Sequence, residues 1–537
     1  MKPGNIYFNT LLIASPLLLP FSGCAENKYK KLPNVVFILS DDIGPGDIAA
    51  YHRERTGHKE VIPTPNIDRL ASEGIRFRNA NTPAALSAPT RYSIMTGSNT
   101  YRCREPWGVW NPFDPMGTVP ADQKTVANVM KDAGYNTAFF GKWHLGGKFN
   151  KLDSGVVYPG GELWDDGWDY SEIVGAYPNS LGFDYSFELP NGIQGNPYTI
   201  YENGKWFPIS KESVIRVKSK TSPKNSIKRY SKGDSNWETS KIGPLLSKKA
   251  AEFIENHKKI QSGKPFFIYY CSQAVHGPQE PPADFYGTPV KGTTPSGHGD
   301  MIFELDLQVG MIVDALKKAA EYENTLIIFT SDNGGLNVKE DKSEFYSGDC
   351  SSYGFYAEAL LGHCATNGFR AQKGSMYEGG TRVPFIAMWP GVTPKGKVSD
   401  EPVLAHDLMA TLYAVTGQDM PEGQAMDSYN LLPLLKDEAG AKGREFSLYQ
   451  GGLPWPEEIN SLKYIIRKGD WKLIINSDNE GNILDPFAFF NLKDNPYEVE
   501  SKNFLRDPGQ KERITEMYDY YKKLRSTKER TTELVRF

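Results

Sequence analysis

A chain of 537 residues with 39% hydrophobic and 23% charged residues has an ordinary globular composition. It is too long for a single hydrophobic core, so a large domain with a smaller one is expected. A formal net charge of −4 removes any electrostatic reason to expect nucleic acid as a partner.

The N-terminus carries Lys2, then an apolar run from Leu11 to Leu19 interrupted by Pro16, then Ser22-Gly23-Cys24. The run is too short to span a bilayer, which takes about 20 residues, and fits a secretory signal. Small residues directly before a cysteine resemble a bacterial lipoprotein signal. Residues 1–23 would then be removed and Cys24 lipidated, giving an exported bacterial protein, periplasmic or anchored to the outer membrane, that meets a membrane only through this anchor. The other cysteines, Cys103, Cys271, Cys350 and Cys364, suit no zinc motif. Cys350 and Cys364 either pair or remain buried thiols.

Continuous apolar runs recur at 35–39, 136–140, 266–270 and 326–329, and predict strands buried on both faces of a largely parallel sheet. Helices are predicted at 64–71, with a capping Thr64, Pro65 at the first helical position and Gly74 as a stop, at 125–133, and at 303–320. The expected fold is α/β: a large central, mostly parallel sheet sandwiched by helices, with a smaller C-terminal α+β domain. Residues 150–245 read as a loop-rich insertion over the rim of the sheet, and 335–369 as a similar segment. The runs at 462–466 and 471–475 flank Gly469-Asp470 and predict a hairpin, followed by a helix over 511–524. The domains are drawn at 30–436 and 437–537.

Each strand is followed at once by polar residues: Asp41-Asp42, Lys142-Trp143-His144, His276 and Asp332-Asn333. Ligand sites in open parallel sheets gather beyond the carboxyl ends of the strands, so these groups should converge on one rim. Adjacent carboxylates repel unless something positive lies between them. Four oxygen donors without His or Cys favour a hard cation such as Ca²⁺.

The string Ser87-Ala88-Pro89-Thr90-Arg91, with Thr96-Gly97 beyond it, resembles the signature of the formylglycine-dependent sulfatases, in their Ser-type form, within the alkaline-phosphatase-like superfamily. Asp41-Asp42 with Gly44-Pro45-Gly46-Asp47, Gly141 to Gly146, Lys373-Gly374 with Glu378-Gly379-Gly380, and Asn491 to Glu498 are similar to further blocks of that family. The resemblance implies that Ser87 is oxidised to Cα-formylglycine (3-oxoalanine) by a radical-type maturing enzyme before export. Its hydrated aldehyde would attack sulfur through one hydroxyl and expel sulfate through the other. The resemblance further implies one Ca²⁺ on Asp41, Asp42, Asp332 and Asn333, with Arg91 orienting residue 87 and Lys142 and Lys373 neutralising sulfate. His144 would accept the diol proton, and His276 would protonate the leaving alcohol. A sulfated carbohydrate is the expected substrate, and Arg104, Trp107, Trp110, His298 and His363 are candidate sugar contacts. Two other readings stay open: a phosphoesterase or phosphonate hydrolase of the same superfamily, and an inactive lipoprotein that binds sulfated glycans.

Overall fold

The computed structural model describes Met1 and residues 32–103, 107–108, 110, 119–152, 154, 167–221, 228–261, 263–336, 363–452, 462–478 and 481–526. Its contacts divide the chain into Met1–Leu32 and Pro33–Phe537. Lys2, the apolar run, Cys24, Arg104 and Cys350 lie outside the described residues.

Twelve strands form the main sheet. In chain order they are β1 (Asn34–Ser40), β2 (Ile75–Phe77), β3 (Asn136–Lys142), β4 (Lys148–Lys151), β5 (Trp168–Gly175), β6 (Tyr185–Leu189), β7 (Ile200–Glu202), β8 (Lys205–Phe207), β9 (Phe266–Cys271), β10 (Thr325–Ser331), β11 (Phe385–Met388) and β12 (Lys397–Ser399). Their order across the sheet is β12-β2-β11-β10-β1-β9-β3-β6-β7-β8-β5-β4. The centre, β10-β1-β9-β3-β6, is parallel throughout. The β10–β11 and β11–β2 pairs are antiparallel, as are the pairs from β6 through β7, β8 and β5 to β4. The short edge pair β12–β2 is parallel as well, so the sheet is mixed, with its long apolar runs gathered in the parallel centre.

Helices α1 (Pro65–Glu73), α2 (Ser87–Thr96), α3 (Val126–Asp132), α4 (Ile242–Ile260) and α5 (Gly297–Lys318) lie between these strands. Ile67 and Leu70 of α1, Leu246 and Ile254 of α4, and Leu305, Val309 and Ile312 of α5 share one apolar cluster with Val36, Ile38, Ile268 and Phe329 of the sheet. Three expectations need correction. Thr64 holds the N-cap position of α1 without capping it, since its Oγ1 accepts instead from the Ala49 N–H. The free N–H groups of Asn66 and Ile67 donate to Asp306 Oδ1 of α5 at 2.9 and 2.8 Å. Helix α5 begins at Gly297, before its apolar periodicity becomes clear, because Ser296 caps it by accepting from the Gly299 N–H. The segment 150–245 is not merely a loop-rich insertion: its described part supplies four strands that extend the main sheet and a hairpin, Ile215–Thr221 with Lys228–Asp234.

A four-stranded antiparallel sheet, β13 (Phe446–Gly451), β14 (Lys463–Lys468), β15 (Trp471–Ser477) and β16 (Ile483–Asn491), closes the described chain with helix α6 (Lys511–Ser526). The predicted hairpin is β14–β15, with Gly469 at φ 55° in its turn. Gln450 of β13 pairs with the strand-like residues before Ser87: its N–H donates to Pro83 O at 3.0 Å and its carbonyl accepts from the Ala85 N–H at 2.9 Å.

Candidate active site

The carboxyl ends of β1, β3, β9 and β10 deliver the predicted groups to one rim, and α2 begins beside them. Ser87 is the first residue of α2, and Pro89 falls in the first turn, where no N–H partner is needed. Arg91 is thereby set one turn on, facing inward and 1% exposed. Gly97 ends the helix at φ 66°, where a Cβ would lie 2.8 Å from Ala425 Cβ. These positions give the Ser-x-Pro-x-Arg…Thr-Gly string its structural sense.

Ser87 Oγ lies 3.3 Å from Asp41 Oδ1 and 3.2 Å from Asn333 Oδ1. Asp41, Asp42 and Asp332 bring carboxylate oxygens within 4.8 Å of one another, all three residues at 0% exposure. Asp42 sits at φ 63°, which turns the chain sharply enough for two consecutive carboxylates to face the same point. Cations surround the cluster. Lys142 Nζ is 2.7 Å from Asp41 Oδ2, Lys373 Nζ 2.6 Å from Asp42 Oδ1, and Arg91 Nη2 2.8 Å from Asp332 Oδ2. Arg91 Nη1 also donates to the Lys142 carbonyl at 3.0 Å. Burial alone would raise both aspartates. Lys142, His276 and Arg91 nevertheless hold the Asp41 carboxyl below the usual carboxylate range, and Lys373 and His276 do the same for Asp42. Both are therefore ionised at neutral pH and available as ligands.

Asp42 Oδ2 is buried with no hydrogen-bond partner among the described residues. An orphaned carboxylate oxygen inside an all-oxygen donor set is what a hard cation would satisfy, so the four side chains fit Ca²⁺.

His144, at φ 58°, meets the Trp110 carbonyl through Nε2 at 3.1 Å. Burial, with Lys142 and Arg91, keeps it neutral by pushing it well below imidazole's ordinary value. The end of β6 frames it, since Trp143 and His144 donate backbone N–H groups to Leu189 and Pro190. His276 Nδ1 meets the Gly277 carbonyl at 3.0 Å, and its Nε2 faces Asp42 Oδ2 at 3.9 Å. Its side chain and that of Lys373 are 20% and 16% exposed, the two openings of an otherwise enclosed cluster.

The candidate sugar contacts separate. Trp107 packs in the apolar cluster with Leu86 and Tyr464, and Trp110 stacks edge-on against Tyr92 at 6.1 Å; both rings are buried. His298 and His363 come together on Asp47, a residue that sequence reasoning placed in a motif block without giving it a role. Cys364 is disulfide-bonded, and Cys103 and Cys271 are buried thiols.

The Sulfatase family model matches residues 33–418, and a model of the N-sulphoglucosamine sulphohydrolase C-terminal region matches 369–527. An N-acetylgalactosamine-6-O-sulfatase of Bacteroides thetaiotaomicron is 30% identical over 507 residues, covering 87% of this chain and 88% of its own. Human arylsulfatase A is 29% identical over 445 residues, covering 82% and 74%. A solved structure described under the metabolism of multiple glycosaminoglycans by Bacteroides thetaiotaomicron superposes with a TM-score of 0.72 at 28% identity, covering 92% of this chain and 100% of the other. With the oxygen cluster, its cations and the serine at one rim, the chain belongs to the sulfatase family and is a sulfuric ester hydrolase.

Proposed function

We propose that the protein hydrolyses a sulfate monoester on a carbohydrate, using a formylglycine made from Ser87 and one Ca²⁺. The observation that carries this reading is the position of Ser87 Oγ against Asp41 and Asn333 within an all-oxygen cluster ringed by three cations. The substrate class rests on the N-acetylgalactosamine-6-O-sulfatase relative.

Asp41, Asp42, Asp332 and Asn333 would hold the ion. When bound, Ca²⁺ supplies Lewis-acid polarisation of sulfate and of the attacking oxygen. The hydrated aldehyde at position 87 supplies a hydroxyl for attack on sulfur and a second for sulfate release. Lys142 and Lys373 exchange part of their contact with Asp41 and Asp42 for sulfate oxygens, which places fixed positive charge where negative charge develops. Arg91 holds the first turn of α2 against Asp332, so residue 87 keeps its aim. His144, neutral in its buried setting, takes the proton from the residue 87 hydroxyl. His276, on the open side, donates a proton to the leaving alcohol oxygen. The N-terminus of α2 adds a favourable dipole for the anionic group.

Export as a lipoprotein through Cys24 belongs to the same proposal and rests on the apolar run ending in Ser22-Gly23-Cys24. The reading is tested by comparing 4-nitrophenyl sulfate with 4-nitrophenyl phosphate and a panel of singly sulfated sugars. Sulfate release with little phosphate release supports it, and the reverse preference sinks it.

A further inference from the structure

Beside the oxygen cluster, three chain segments converge on a carboxylate that this chemistry does not use. Asp47 is 1% exposed, and its Oδ2 accepts from the Gly44 N–H at 2.9 Å. Its Oδ1 is buried with no hydrogen-bond partner among the described residues. His363 Nε2 lies 3.2 Å from that oxygen, and His298 Nε2 lies 4.0 Å from it. His298 is 7% exposed, and neither of its ring nitrogens has a hydrogen-bond partner among the described residues. A buried polar group left unpaired is costly, so Asp47 and His298 facing one another in this state call for a ligand between them.

The convergence is built into the backbone. Gly46 donates its N–H to the Ala365 carbonyl at 3.0 Å. A Cβ at Gly46 would lie 1.7 Å from Cys364 O, and one at Gly44 2.0 Å from Ala365 O. Only glycine lets the disulfide-bonded segment at Cys364 press against this turn and bring His363 onto Asp47. His298 arrives from the first turn of α5.

The span between His298 and Asp47 favours a hydroxyl over a metal, while His363 Nε2 at 3.2 Å stands directly against Asp47 Oδ1. Tetrahedral ligands at roughly 2.0–2.1 Å from an ion stand about 3.3 Å apart. His298 and Asp47 stand 4.0 Å apart, and among the described residues only Asp41, Asp42 and Asp332 gather their ligand atoms within 4.8 Å. A hydroxyl oxygen at about 2.8 Å from each fits that span, donating to the carboxylate while an imidazole N–H donates to it. Asp47 stands five residues beyond the proposed ligand Asp42 in the chain, and the charge of Asp42 acts on His298.

We propose that Asp47, His298 and His363 form a hydroxyl-recognition subsite that selects the sugar ring bearing the sulfate; this rests on the sulfatase reading above. A ring whose sulfate lies against Lys142 and Lys373 presents one hydroxyl to the oxygen and nitrogens of this cluster. The three residues set specificity and take no part in breaking the ester.

The test is a double-mutant cycle between the matured full-length protein and a panel of singly sulfated hexoses with their deoxy analogues. For the wild type, removing one particular hydroxyl should lower kcat/KM by about 10²-fold or more. For Asp47→Asn and His298→Gln, the intact sugar should be slowed by a similar factor and the deoxy analogue no further, so the ratio collapses toward unity. His363→Gln provides a third arm should either variant fail to fold. Variants that keep the wild-type ratio for every analogue overturn the subsite alone. A transition metal bound stoichiometrically to the wild type and lost from both variants overturns it in favour of a metal centre. A wild type that releases no sulfate from any sugar brings down both readings together.

Discussion

Arg91 donates to Asp332 at 2.8 Å, tying the helix that starts at Ser87 to the strand end that carries two of the four oxygen donors. Both side chains are out of solvent, so the pair acts as a fixed strut. Arg91→Ala leaves Asp332 uncompensated and should cost about 3–5 kcal/mol of stability. Arg91→Lys keeps the charge but cannot reach both Asp332 and the Lys142 carbonyl, and should lower kcat by about 10²-fold with a smaller loss of stability. Urea midpoints and steady-state kinetics on the two variants check this.

Ser87 as synthesised carries a single hydroxyl, so an ester formed on it could not expel sulfate by regenerating an aldehyde. Protein made without a maturing enzyme should therefore fold but release no sulfate. Co-expression with a radical-type maturase should restore turnover. The peptide containing residue 87 should then be lighter by two hydrogen atoms in mass spectrometry, and an unchanged mass in active protein would refute the modification.

Calcium removal should abolish turnover and lower the melting temperature, because three clustered carboxylates lose their shared counter-charge. An ion present at about 100 times its dissociation constant contributes about 2.7 kcal/mol. Asp42→Asn should remove most of this calcium-dependent shift in a thermal melt, since Asp42 carries the otherwise unpartnered oxygen.

Burial pushes Glu304 of α5 up to about 8 from its ordinary 4.5, although the Gln273 and Gln308 amides donate to it at 2.9 and 3.0 Å. The folded protein keeps a proton that the unfolded chain releases near pH 4.5. The resulting stability is fully present below that value and declines as pH rises toward 8. Asp306, pushed up to about 7 by burial, acts in the same sense. Glu304→Gln should flatten part of the decline, leaving the Asp306 contribution. Urea midpoints of both proteins between pH 5 and 8 measure the difference. A wild type whose stability climbs across that range would refute the assignment.

The catalytic rim was legible because β1 and β10 each combine an apolar run with polar residues at its end, Val35 to Asp42 and Leu326 to Asn333. The Ser87 string was legible through its resemblance to the sulfatase signature, and the structure shows its Pro, Arg and Gly at a helix start, an inward-facing turn and a helix end. The antiparallel additions were harder to see. Strands such as Ile200–Glu202 and Lys205–Phe207 span three residues each and show no period to detect. The cap on α1 was missed for another reason, since Asp306 lies 240 residues from the N–H of Asn66 that it receives. Asp47 has the same character. Nothing around it in sequence announces that His298 and His363 will meet there, although the glycines on either side of Pro45 already require another segment to come very close.

The pairing of Gln450 with Pro83 and Ala85 bears on the order of events in biosynthesis. The stretch leading into Ser87 is locked by a strand that leaves the ribosome more than 300 residues later. At about 5–20 residues per second, that delay is on the order of tens of seconds. On the proposed maturation of Ser87, this is the interval in which a modifying enzyme would meet the segment before Gln450 pairs with it. Once the last sheet docks, position 87 is only 6% exposed, and the opportunity closes.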